Sequence, residues 1–128
     1  MRKTLLAAAI AAALTTTPAV AQTRTDMMAP DAAPARCANA PERAVRSCIW
    51  AAARYHGQPY GRLLRIARCE STLRPRAANG WYYGLYQYDR DTWAGTPYAW
   101  ASRGSARWSS MAAAWTLKQG EGWRFSCY

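Results

Sequence analysis

Four cysteines, Cys37, Cys48, Cys69 and Cys127, lie between position 37 and the penultimate residue of a 128-residue chain. A folded segment this short buries only a modest core, so a covalent or metal staple is expected. The spacings match no zinc pattern and the single histidine, His56, is isolated. An even cysteine count in an exported chain then favours disulfides, and neither a metal nor a cofactor is expected. Sequence allows three pairings, of which Cys37–Cys48 with Cys69–Cys127 is the favoured one. The second of these closes a loop of nearly sixty residues, a crosslink that the chain-entropy relation values at about 4 kcal/mol.

Export is read from the N-terminus. "MRK" is a basic start, "LLAAAIAAAL" is an apolar run too short to span a bilayer, and Ala19 and Ala21 form an A-x-A cleavage site. Residues 1–21 are therefore expected to be a signal peptide rather than a membrane anchor. Residues 22–36, "QTRTDMMAPDAAPAR", are rich in Ala and Pro without hydrophobic periodicity and read as a flexible lead-in. Residues 37–128 are the expected folded domain, placed in the periplasm or outside the cell, with no stable membrane insertion.

Seventeen Lys and Arg against seven acids give a net charge of +10. On an exported protein this points to an anionic partner such as wall polymer, lipid headgroups or nucleic acid, or else to arginines that only solubilise a small domain. The arginines are dispersed and no nucleic-acid motif appears, so no specific nucleic-acid partner is expected.

The order of elements predicts a mainly helical α+β domain. "PERAVRSCIWAAARYH", 41–56, has apolar residues at helical spacing, and Gly57 suits a C-cap. "YGRLLRIARCES", 60–71, is a second helix, with Pro75 soon after it. "RAANGWYYGLYQY", 76–88, reads as a loop or short hairpin around Asn79-Gly80. Asp89 or Asp91 is an N-cap for a short helix, 96–108 is a loop, and "SSMAAAWTLKQG", 109–120, is a last helix with a serine cap.

Glu70 is the residue that needs explaining. Projected at about 100° per residue, Leu63, Ile66 and Ala67 lie within about 60° of it, while Arg65 and Arg68 point away. Glu70 thus continues an apolar stripe. Partial desolvation there raises a carboxyl pKa, as a general acid requires. The plain alternative is a solvated ion pair with Arg74, four residues on.

Seven Trp and eight Tyr against one Phe favour rings with polar edges, which suit sugars or stacked bases. Tyr82, Tyr83 and Tyr86, in a glycine-flanked loop, are candidates for binding, and Trp93, Trp115 and Trp123 are candidates for the core.

"CES" at 69–71, Pro75, Ala77 and "GLYQ" at 84–87 resemble the glutamate–serine and G-L-x-Q motifs of lysozyme-like soluble lytic transglycosylases. "CES", "NGWYYG" and "DTW" are also similar to the resuscitation-promoting factor branch of that superfamily, in which a cysteine beside the catalytic glutamate pairs with one near the C-terminus; Cys127 is placed to do the same. The resemblance covers about residues 44–128. It implies a small lysozyme-like domain that cleaves the β-1,4 bond between N-acetylmuramic acid and N-acetylglucosamine in peptidoglycan strands. Glu70 would be the catalytic acid, Gln87 would line the cleft, and Ser71 would support the helix end. Arg74, and with it Arg76, would contact the anionic substrate. The chain departs from the pattern in places. The segment between Ala77 and Gly84 is one residue shorter, Trp81–Tyr83 replace the Gly-Ala before the second glycine, and Trp115 and Thr116 stand near the place where a late tyrosine is usual.

Glycosidases ordinarily use two carboxyl groups. With one acid, Glu70, the expected product is a 1,6-anhydro sugar. If Asp89 or Asp91 orients a water, the product is a reducing sugar and the protein a muramidase. A monomeric, non-catalytic wall-binding module on the same fold is the remaining alternative to a monomeric enzyme.

Overall fold

The computed structural model describes residues 42–128; the expected signal peptide, the lead-in and Cys37 lie outside the described residues. The first helix, α1 (Glu42–His56), carries Glu42 in its first turn and Arg54 in its last, each at the end its charge favours. Val45, Cys48, Ile49, Ala52 and Ala53 form its buried stripe. Gly57 ends it at a φ of +64°, a conformation that glycine adopts without strain. Pro59 opens α2 (Tyr60–Ser71), which buries Leu63, Ile66, Ala67 and Ser71.

A hairpin follows. Strands β1 (Ala78–Asn79) and β2 (Tyr82–Tyr83) are antiparallel, with Ala78 opposite Tyr83 and Asn79 opposite Tyr82. Gly80, at a φ of +59°, takes the first of the two turn positions. The chain then folds back so that Tyr88 bridges Tyr83. Asp89 caps the short helix α3 (Arg90–Ala94), and its carboxylate accepts from the Thr92 backbone N–H at 2.8 Å.

The last long helix, α4 (Ala106–Lys118), begins three residues before the serine pair expected to cap it. Ser105 is the cap, accepting from Trp108 N–H at 3.3 Å. Ser109 and Ser110 instead lie fully buried inside the helix. Helix α4 is buried through Ala112, Ala113 and Ala114 and packs mainly on the alanine-rich α1. Small side chains on both helices let the backbones approach closely, and Met111, Ile49 and Val45 fill the space between.

A turn of 3₁₀ helix (Gly122–Arg124) leads the C-terminus back to the core. Phe125 is buried against the rings of Tyr86 and Tyr88, at centroid distances of 5.8 and 5.6 Å. Cys127 is bonded to Cys69, as expected, across 58 residues. Cys48 is also disulfide-bonded. The domain is therefore mainly helical with a two-stranded sheet. Among the described residues no helix is long and apolar enough to cross a membrane.

Candidate functional site around Glu70

Glu70 sits one residue before the end of α2, half-buried. Its Oε1 accepts the backbone N–H of Cys127 at 3.1 Å. The Cys69–Cys127 disulfide starts from the preceding residue, so the C-terminal segment holds the carboxylate both covalently and through a hydrogen bond. The ion pairs between described residues are Arg46–Glu42 and Arg124–Glu121; Glu70 is in neither.

The pairing with Arg74 does not form, and the backbone explains why. An i,i+4 pair needs the helix to continue. Helix α2 stops at Ser71, and Thr72 and Leu73 both take left-handed conformations, at φ of 51° and 60°. Arg74 is thereby turned back, and its Nε donates to Ser71 O and to Thr72 Oγ1, each at 3.1 Å. Two consecutive non-glycine residues in this region cost about 1–3 kcal/mol each, and strain of this kind collects at functional sites. A third such residue is Gln87, at a φ of 51°.

Ser71 joins these parts. Its buried hydroxyl lies 2.8 Å from Leu85 O and 3.0 Å from Ala67 O, tying the end of α2 to the Gly84–Gln87 turn. Gly84 is required there on two counts. Its φ is +93°, and a Cβ would fall 2.1 Å from the carbonyl oxygen of Arg103. The side-chain amide of Gln87 donates to Ala77 O at 3.0 Å and to Gly84 O at 2.8 Å, so its NH₂ group is spent on holding the turn.

The aromatic candidates separate. Tyr82 is half exposed and Tyr83 partly buried. Tyr86, expected at a binding surface, is a core residue: it is 1% exposed and donates its hydroxyl to Leu63 O at 3.2 Å. Burial pushes its phenol well above the usual tyrosine value. Leu85–Tyr86 faces inward because the turn before it is pinned by Ser71 and Gly84. Conversely Trp123, expected in the core, is 67% exposed with the Arg124 guanidinium 4.9 Å from its ring. Trp93 is buried and Trp115 partly so.

Arg103 was not singled out by sequence, since nothing distinguishes it from the other dispersed arginines. It clamps the hairpin: its guanidinium donates to Tyr88 O at 2.6 Å and Trp81 O at 3.3 Å, and lies over the Tyr83 ring. Of the two candidate second carboxylates, Asp89 is occupied by its capping role. Both oxygens accept from Thr92, and these bonds hold its pKa below the usual carboxylate range. Asp91 takes no side-chain partner among the described residues. Those residues contain no group of three or more His, Cys, Asp or Glu able to hold a metal ion. No protein-family model, no curated protein and no solved structure matches this chain.

Proposed function

We propose that this protein is an exported, lysozyme-like lytic transglycosylase that cleaves the β-1,4 bond between N-acetylmuramic acid and N-acetylglucosamine, with Glu70 as its single acid. The observation that carries the reading is the state of that carboxylate. In a strongly basic chain, Glu70 has no ion-pair partner among the described residues, yet a disulfide and a backbone N–H position it at the strained end of a half-buried helix. A structural surface glutamate needs none of this. An intramolecular disulfide also suits an oxidising, extracytoplasmic compartment.

In this mechanism Glu70 protonates the glycosidic oxygen, and the bond from that oxygen to the muramic C1 breaks. The substrate's own acetamido group supports the oxocarbenium-like centre. The Glu70 carboxylate then takes the proton from the muramic C6 hydroxyl as O6 attacks C1. That closes the 1,6-anhydro ring and returns the acid to its starting state. A second carboxylate is not needed, which suits a chain whose Asp89 is committed to a helix cap. The unpartnered Asp91 favours one variant, in which it orients a water and the product is a reducing sugar.

Mass spectrometry of purified peptidoglycan after incubation with wild type and with Glu70→Gln tests the proposal. Anhydro-muramyl fragments that vanish in the variant are the expected result. Reducing fragments would transfer attention to Asp91. No release by folded, oxidised wild type would sink the enzyme and leave a wall-binding module.

A further inference from the structure

Among the described residues Glu70 has one hydrogen-bond partner, the backbone N–H of Cys127 at 3.1 Å. That N–H belongs to a segment with little else to hold it. Phe125 is its last core residue, 6% exposed and packed on the rings of Tyr86 and Tyr88. Upstream, the backbone closes on itself, with Arg124 N–H donating to Glu121 O and Phe125 N–H to Gly122 O, each at 3.0 Å. Beyond Phe125 stand the exposed Ser126, then Cys127, then Tyr128, which is 59% exposed. Tyr128 N–H donates to Phe125 O at 3.2 Å. Its ring rests on Gly122, and the guanidinium of the exposed Arg62 lies 5.6 Å from the ring centroid. Contacts of this kind at an exposed site are weak. The Cys69–Cys127 bond is what keeps the Cys127 N–H on the carboxylate.

Cys69 is exposed and Cys127 partly so, which opens this pair to a thiol in solution. Cys48 is also disulfide-bonded, but it is 1% exposed and its sulfur is closed to such an attack. A dithiol reductant therefore reaches the Cys69–Cys127 bond first. Its thiolate attacks Cys69 Sγ, the bond between the two cysteines breaks, and Cys127 leaves as a thiolate. The second sulfur of the reductant, once deprotonated, displaces Cys69 from the mixed disulfide and closes the reductant's own disulfide. Two electrons pass to the cysteine pair, and the two protons shed by the dithiol end on Cys69 and Cys127. The buried residues that build the core, from Val45 to Phe125, take no part.

We propose that Cys127 is a positioning residue for Glu70, and that the redox state of its disulfide switches that role. In the oxidised protein the disulfide holds the Cys127 N–H on the carboxylate. In the reduced protein residues 126–128 open locally, the carboxylate loses its hydrogen bond, and the rest of the domain stays folded. The release of the carboxylate stands on the geometry alone, while its consequence for catalysis rests on the transglycosylase reading above. An acid that is free to rotate is displaced from the glycosidic oxygen it must protonate, and a displacement of about 1 Å can cost about a hundredfold in rate.

The test titrates the wild-type protein with dithiothreitol. Reduced cysteines are mapped by alkylation and mass spectrometry, and NMR follows the same samples. Cys69 and Cys127 are expected to be alkylated before Cys48. In the oxidised protein the Cys127 amide shift should follow the ionisation of Glu70, a dependence that Glu70→Gln abolishes. Reduction should abolish it as well, with the Tyr86 and Phe125 ring resonances unchanged, and reoxidation should restore it. Oxidised Tyr128→Ala should keep it, which locates the hold in the disulfide rather than in the terminal ring. On peptidoglycan fragments, reduction is expected to lower kcat about a hundredfold at unchanged KM. Global unfolding on reduction, a Cys127 amide that still follows Glu70 in the reduced protein, or one that no longer does so in oxidised Tyr128→Ala would each overturn the proposal. A reduced enzyme with unchanged kcat, or with only KM altered, would do the same. The expected resonance changes without fragment release in either redox state would remove only the transglycosylase.

Discussion

His56 is the single histidine of the chain, and its environment sets a pH limit on stability. The ring is 9% exposed at the end of α1, with Nε2 2.8 Å from the Tyr98 hydroxyl and the Tyr55 ring at its edge. Burial, and secondarily the charge of Lys118, lower its pKa from 6.5 to about 4. The helix C-terminus favours the imidazolium, but desolvation outweighs it. The folded state therefore binds the proton less tightly than the unfolded state. The stabilisation is complete above the unfolded pKa of 6.5 and is lost as pH falls from there through about 4. At about 1.4 kcal/mol per pKa unit the full loss is about 3 kcal/mol, reduced to about 2 if residual solvent contact screens the charge. Urea unfolding between pH 7.5 and 4 would measure it, with His56→Gln as the reference. Gln can still accept from Tyr98 but does not titrate, and the carboxylates titrate in both proteins and cancel. The lone imidazole C–H resonance gives the pKa directly. An imidazole that titrates near 6.5, or equal pH slopes in the two proteins, would refute the reasoning.

Replacing Cys69 and Cys127 together with alanine frees a 58-residue loop and is expected to lower unfolding stability by about 4 kcal/mol, read from urea unfolding with the m-value fitted separately for each protein. Gly84→Ala should cost at least about 2 kcal/mol, since a left-handed φ and a clash with the Arg103 carbonyl act together; thermal unfolding reports it. Tyr86→Phe should cost about 1 kcal/mol by removing the hydrogen bond its hydroxyl donates to Leu63 O, while the KM for peptidoglycan fragments stays unchanged, as expected for a core residue. Asp89→Ala should cost about 1 kcal/mol as a lost N-cap and leave the product type unaltered, which mass spectrometry of released sugars checks.

The two first helices, the Asn79-Gly80 hairpin and the short helix after Asp89 were legible in the sequence because each rests on interactions within a few residues: an apolar stripe, a glycine at positive φ, a carboxylate reaching an N–H three positions on. Local signals misled where two of them competed. Ser109 and Ser110 resemble a cap as well as Ser105 does, but it is Ser105 that caps α4, whose first turn buries Ala106. Burial of particular rings was beyond local reading. Tyr82 and Tyr86 differ by four positions in one aromatic run, yet Phe125, from the other end of the chain, makes Tyr86 a core residue. The same holds for the site. The sequence singled out Glu70 and made Arg74 its natural neighbour, but two left-handed residues carry Arg74 away and Cys127 supplies the partner from 57 positions on. Asp91, in α3, and Glu121, past the end of α4, likewise line one cleft although they are far apart in sequence. Backbone propensity and periodicity act over a few residues. Which side chains share a site depends on packing between elements distant in the chain, where a difference of one turn exchanges a buried ring for an exposed one.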